Sequence, residues 1–137
     1  MKFLNKKAFQ ASLDNPGTGL WTKGPYFDIW HIPHFLFGVN VGFGLVHWSV
    51  TLRNGLIILL TIKVMWELFE NALMKNKETL FNSTFDILFG LLGCICAYVF
   101  YPLLTMRQFW PTLIFLTIFW LGLDIFGALR RIAHFDT

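Results

Sequence analysis

A chain of 137 residues that is 55% hydrophobic, 18% aromatic and only 14% charged has too little polar surface to clothe a soluble globule, whose charged share is nearer about 25%. Composition therefore excludes an ordinary water-soluble domain, and nucleic acid is not an expected partner. At about 20 residues per span, the length holds four spans and a short tail but no second domain, so the expected fold is an all-α integral membrane protein, a four-helix transmembrane bundle occupying residues 1–137 as a single domain.

Residues 1–30 precede the first expected span. Met1 to Leu13 sets Lys2, Lys6 and Lys7 among Phe3, Leu4, Phe9 and Leu13, without the apolar centre or small-residue cleavage site of a signal peptide, and so reads as a retained arm or short helix on the membrane surface. Asn15-Pro16-Gly17-Thr18-Gly19 is a turn-rich linker, and Trp21, Tyr26 and Trp30 are residue types that settle at headgroup level. Pro33 suits the first helical position, which places the first span at about Ile32 to Thr51. Gly38, Gly42 and Gly44 in it favour close helix approach, the first two in the small-x-x-x-small pattern. Arg53-Asn54-Gly55 reads as a tight reversal, followed by a second span from about Leu56 to Met74 that Lys75-Asn76-Lys77-Glu78 closes. Asn82 or Ser83 caps a third span, Ser83 to Leu104, with Pro102 at its frayed end. Trp110-Pro111 opens a fourth that ends near Ala128, before Arg130-Arg131. Cys94 and Cys96, two apart on a helix, point about 200° apart around the axis and read as small buried hydrophobes.

Orientation follows from the basic residues. The face holding both termini and the second connection carries Lys2, Lys6, Lys7, Lys23, Lys75, Lys77, Arg130 and Arg131, against Arg53 and Arg107 on the other, with Lys63 left inside a span. The positive-inside rule then places both termini in the cytoplasm. With that topology, His31 and His34 lie at the cytoplasmic mouth of the first span. Glu67 and Glu70 fall in the last turns of the second, Asn82 and Asp86 in the first turns of the third, and Asp124 near the end of the fourth. Ionisable groups in hydrocarbon are costly and are usually kept for use; here every span brings its own to one end of the bundle.

Spacing sharpens that convergence. His31 and His34 are three apart, as are Glu67 and Glu70, while Asn82 and Asp86 are four apart, so each pair shares a helical face wherever the helix extends that far. Carboxylates and imidazoles at such spacings hold metals in helical bundles. His31, His34, Glu67, Glu70 and Asp86 are therefore candidate ligands for Zn, Mn or Fe. A metal there would acidify a water, with Glu67 or Glu70 as the general base acting on a lipid-borne ester or phosphate.

Plainer readings stand beside each of these. With Pro33 at the first helical position, His31 need not share the face of His34, and either histidine serves equally as an interfacial hydrogen-bonding group. Lys63, one turn before Glu67, offers an ion pair in place of a metal. Asn82 and Asp86 could cap the third helix, and Asp124 is better placed to pair with Arg130 or Arg131 than to ligate. Asn40 and His47 read as inter-helix hydrogen-bond glue. Asn82-Ser83-Thr84 spells a glycosylation sequon, discounted because it falls on the cytoplasmic side.

Tyr26-Phe27-Asp28-Ile29-Trp30-His31-Ile32-Pro33-His34, Trp66-Glu67-Leu68-Phe69-Glu70-Asn71 and Asn82-Ser83-Thr84-Phe85-Asp86 together resemble three blocks of a bacterial polytopic membrane family. Its pattern is a Ser-His-x-x-His-Gly start to one span, a Trp-Glu-x-x-Glu-Asn end to the next and an Asn-Ser-x-x-Asp start to the third. The family is similar in outline to the VanZ-like proteins, some of which are associated with glycopeptide-antibiotic tolerance. The likeness covers roughly residues 26 to 93 and not the fourth span. Phe35 stands where the pattern has Gly, and the connection from Glu70 to Asn82 is shorter than the family's. The resemblance implies a shared site of His31, His34, Glu67, Glu70, Asn71, Asn82 and Asp86, and it brings no reaction with it.

Two function classes follow. One is a metal-dependent hydrolase acting on a lipid or lipid-linked substrate that arrives laterally from the inner leaflet, with Lys63, Asn71, Asn82 and Asp124 around the ligands. The other is a non-enzymatic component that binds or relays an ion or proton, with a homo-oligomer building a path between subunits left open. A salt-bridged structural subunit, with Lys63 neutralising Glu67, is the third outcome.

Overall fold

The computed structural model of the chain describes residues 29–73 and 80–133, with side chains over 29–69 and 82–129. The expected surface arm and the Lys75–Glu78 connection lie outside the described residues, as do the side chains of Glu70, Asn71, Arg130 and Arg131. Among the described residues the fold is all-helical, without strands: α1 (His31–His47), α2 (Leu52–Leu73), α3 (Leu80–Phe100), a 3-10 turn at Tyr101–Leu103, and α4 (Met106–Ala133).

Several boundaries differ from expectation, each for a local reason. α1 begins at His31, so Pro33 is its third residue; Ile32 and His34 donate their backbone N–H groups to Ile29 and Trp30 carbonyls at 3.1 and 3.2 Å. Proline is tolerated there because the first N–H groups of a helix have no intrahelical acceptor. The chain reverses before Arg53, at Trp48–Thr51, where Ser49 takes a φ of 59°. Arg53, Asn54 and Gly55 belong to the first turn of α2. Tyr98 of α3 clamps the reversal by donating its hydroxyl to the Val50 carbonyl at 2.9 Å. Gly55 leaves the space for it, since a Cβ there would fall 2.6 Å from the Tyr98 oxygen.

α3 starts at Leu80, which puts Asn82 and Asp86 inside the helix and not at its cap. It gives way to the 3-10 turn at Pro102. α4 starts at Met106 because Thr105 and Gln108 form a capping pair: the Thr105 backbone N–H and hydroxyl both donate to Gln108 Oε1, at 3.0 and 2.9 Å. Pro111 is thus inside α4, forfeiting one early backbone bond.

Contacts make α1 the centre of the bundle, packed against α2, α3 and α4, most closely α3. Gly38 and Gly42 face α3, and Gly93 faces α1. A Cβ on Gly38 would overlap the Gly90 carbonyl, one on Gly42 would sit 2.9 Å from Cys94 Cα, and one on Gly93 would overlap the Phe35 carbonyl. Only glycine permits backbones this close. Gly44 takes no part in that contact; its Cβ would meet only the Trp48 ring, at 3.9 Å. Val39, Phe43, Ala97 and Phe109 form the apolar core.

Burial is inverted relative to a water-soluble protein. His31, Lys63, Glu67, Asn82 and Asp86 are buried, while Ile57, Met65, Leu68, Phe115, Ile118 and Ile125 are exposed. Two segments, Asn82–Leu103 and Met106–Leu129, are long and apolar enough to cross a membrane, and only 6% of the second is buried within the fold. The core helix of a soluble protein would be mostly buried, unlike this second segment. α1, at 17 residues, rises about 25 Å, somewhat short of a hydrocarbon core about 30 Å thick. α2 carries Arg53, Lys63, Glu67 and Glu70, and its apolar character is correspondingly interrupted.

Candidate functional site

Three helices bring their ionisable groups to one point near the start of α1. α1 supplies His31 and His34 from its first turn; α3 runs alongside and supplies Asn82 and Asp86 from successive turns; α2 reaches in with Lys63 and Glu67, also one turn apart. Gly90 of α3 lies against Gly38 on one side, and on the other the stem of Lys63 passes at ordinary contact distance, its Cδ 3.4 Å from where a Cβ on Gly90 would stand. The long aliphatic stem is buried in this way while its ammonium extends to polar partners.

The contacts form a chain. Lys63 Nζ is 2.8 Å from His34 Nδ1, and the other ring nitrogen, His34 Nε2, is 3.2 Å from Asp86 Oδ1. His31 Nδ1 approaches the same carboxylate oxygen at 3.5 Å. Asn82 Nδ2 donates to Asp86 Oδ2 at 3.4 Å. At the other end, Lys63 Nζ lies 3.9 Å from Glu67 Oε1. An ammonium has donors only, so Lys63 donates and His34 Nδ1 accepts; Nε2 then carries the ring proton and faces Asp86 Oδ1 at 3.2 Å. The ring of His31 is held by Phe85 and Phe89, with centroids 5.9 and 4.9 Å away.

α4 closes the fourth side. It runs antiparallel to α1, fixed by the hydrogen bond from the Thr117 hydroxyl to Asn40 Oδ1 at 2.9 Å and by the Phe37–Trp120 ring contact at 5.4 Å. Asp124 follows Trp120 by one turn on the same half-buried face.

Of the sequence-predicted residues, His31, His34, Lys63, Glu67, Asn82 and Asp86 are brought together, while Asp124 stands on the half-buried face of α4. Glu70 and Asn71 continue α2, but their side chains lie outside the described residues. The first-turn position of His31 answers the doubt that Pro33 raised, since both imidazoles reach Asp86. The capping role considered for Asn82 and Asp86 gives way to their mutual hydrogen bond within α3.

The expected metal centre does not take shape among the described residues, where no group of three or more His, Cys, Asp or Glu side chains is arranged to hold an ion. Glu70, one of the expected ligands, has its side chain outside the described residues.

Three partners escaped the sequence reading: the Lys63–His34 bond, Thr117, and Tyr101, whose hydroxyl lies 3.1 Å from His47 Nδ1. Thr117 sits midway between Trp110 and Asp124 at heptad spacing, a stripe that was there to be read. No protein-family model, no curated protein and no solved structure matches the chain.

Proposed function

We propose that this chain is a four-helix integral membrane protein, with both termini in the cytoplasm of a bacterial inner membrane, whose buried cluster binds and relays protons without catalysing a covalent reaction. The observation that carries this reading is the line from Lys63 through both ring nitrogens of His34 to Asp86 Oδ1. An imidazole with an ammonium at one nitrogen and a carboxylate facing the other can take a proton on one nitrogen and release it from the other, which suits it to shuttling.

The test is reconstitution of the purified chain into liposomes with an internal pH-sensitive dye and an imposed pH gradient. Wild type is expected to dissipate the gradient, and His34→Gln and Asp86→Asn to do so no faster than protein-free vesicles. Unchanged flux in both variants would overturn the proposal. Elemental analysis addresses the competing metal-dependent hydrolase of a lipid-linked substrate: near-stoichiometric Zn, Mn or Fe that vanishes in His34→Ala would favour it over the relay.

A further inference from the structure

Resting on the proton-relay reading and deepening it, we propose that Asn82 is the positioning residue of the relay: its amide fixes the Asp86 carboxyl so that Oδ1 is the atom that receives the proton passed through His34. The torsion that turns an aspartate carboxyl is broad and roughly two-fold, so the orientation of Asp86 is set by what its two oxygens touch. The oxygens are divided between two helices. Oδ2 accepts from Asn82 Nδ2 at 3.4 Å, while Oδ1 faces His34 Nε2 at 3.2 Å and His31 Nδ1 at 3.5 Å. A carboxyl group moves as one plane, so holding Oδ2 also holds Oδ1.

The clamp is built into the sequence of α3. Asn82, Phe85, Asp86 and Phe89 recur at helical spacing and so lie along one stripe of the helix. Side chains on a helix lean toward its N-terminus, which brings the Asp86 carboxyl back over Asn82. The same stripe carries the rings of Phe85 and Phe89 to His31, with centroids 5.9 and 4.9 Å away. Thus α3 supplies the proton acceptor, the amide that orients it and the aromatic walls, and α1 supplies both imidazoles. Asn82 and Asp86 are each 1% exposed, so bulk water does not stand in for the amide.

An amide suits this post because it donates without titrating. In the relay the Lys63 ammonium gives a proton to His34 Nδ1 as Nε2 releases its own to Asp86 Oδ1. The ring stays neutral with its tautomer reversed, Lys63 becomes an amine and Asp86 a carboxylic acid, so every proton is accounted for. Oδ2 is then the carbonyl oxygen of the acid and still accepts from Asn82. The acceptor therefore keeps its place through the forward step and the return.

The experiment uses the full chain in liposomes, with the pH-gradient assay, circular dichroism to confirm folding, and solid-state NMR of nitrogen-15-labelled histidine and carbon-13-labelled aspartate, Asp86 being assigned by its absence in Asp86→Asn. Asn82→Leu removes the amide at similar volume. It is expected to lower proton flux about tenfold, the worth of one hydrogen bond, and to shift both the Asp86 carboxyl and the His34 Nε2 signals. Asn82→Gln, which keeps a donor, is expected to restore the flux and both signals. Flux lost with both signals unmoved would make Asn82 merely structural and overturn the proposal, as would Asn82→Leu conducting like wild type. In either case, silent His34→Gln and Asp86→Asn leave the relay standing. If wild type itself conducts nothing, the relay reading fails and takes this role of Asn82 with it. Should Asn82→Leu not fold, wild type decides: a dipolar coupling between the Asn82 side-chain nitrogen and the Asp86 carboxyl carbon is expected, and its absence overturns the proposal.

Discussion

Replacing Lys63 with methionine keeps the buried stem and removes the ammonium that lies between His34 and Glu67. Lys63 is 2% exposed, and its Nζ is 3.9 Å from Glu67 Oε1. At an effective dielectric of about 20, two unit charges at that distance attract by about 4 kcal/mol. Desolvation of both groups offsets part of this, but removing one partner of a buried pair still costs about 3–5 kcal/mol, because the other charge is left behind. Lys63→Met should therefore destabilise the bundle by about that amount. Glu67→Gln in the same background should recover much of the loss, with a coupling energy of about 1–3 kcal/mol between the two positions. The assay is reversible unfolding in mixed micelles of increasing SDS content, followed by tryptophan fluorescence, on wild type, both single variants and the double variant. Single effects that add to within about 0.5 kcal/mol would refute the assignment of Lys63 as the charge that holds Glu67 in the interior.

Three further outcomes are expected. Gly38→Ala or Gly93→Ala should push α1 from α3, costing about 1–3 kcal/mol by overpacking and pulling both imidazoles off Asp86, so that unfolding and liposome flux report the loss together. Tyr98→Phe removes the hydroxyl bond to the Val50 carbonyl at 2.9 Å, and SDS titration should show a loss of about 0.5–1.5 kcal/mol with proton flux unchanged. Thr105→Ala, which breaks the capping pair with Gln108, should cost about 1 kcal/mol and expose the first turn of α4 to faster amide hydrogen exchange.

Much of this arrangement was legible before any coordinates. The all-helical character of the described residues, the glycine face of α1 and the meeting of His31, His34, Glu67 and Asp86 at one end all follow from periodicity and from the cost of burying polar groups. Helix ends were less so. Arg53-Asn54-Gly55 looks like a turn by residue type, yet Gly55 is needed to admit the Tyr98 hydroxyl from a helix more than 40 residues away. Trp110-Pro111 looks like a start, yet the capping chemistry lies at Thr105 and Gln108, within a stretch that composition alone leaves undistinguished.

The partner of Lys63 shows what spacing leaves open. Histidines three apart and glutamates three apart specify a shared face, but not what stands opposite it. Lys63 is one turn from Glu67 and so invited an i, i+4 pair, which forms at a loose 3.9 Å; its closer partner is His34, 29 positions away at 2.8 Å. Only the crossing of α2 over Gly90 selects that partner, and no local rule in the sequence encodes the crossing.

The tautomer of His34 tests the relay most directly. In the full chain, reconstituted in lipid with nitrogen-15-labelled histidine and assigned by comparison with His34→Gln, solid-state NMR at neutral pH should show a neutral ring with the proton on Nε2 and a hydrogen-bonded, bare Nδ1 whose shift changes in Lys63→Met. A proton on Nδ1, or a metal-bound ring nitrogen, would contradict the chain of contacts from Lys63 to Asp86 on which the account rests.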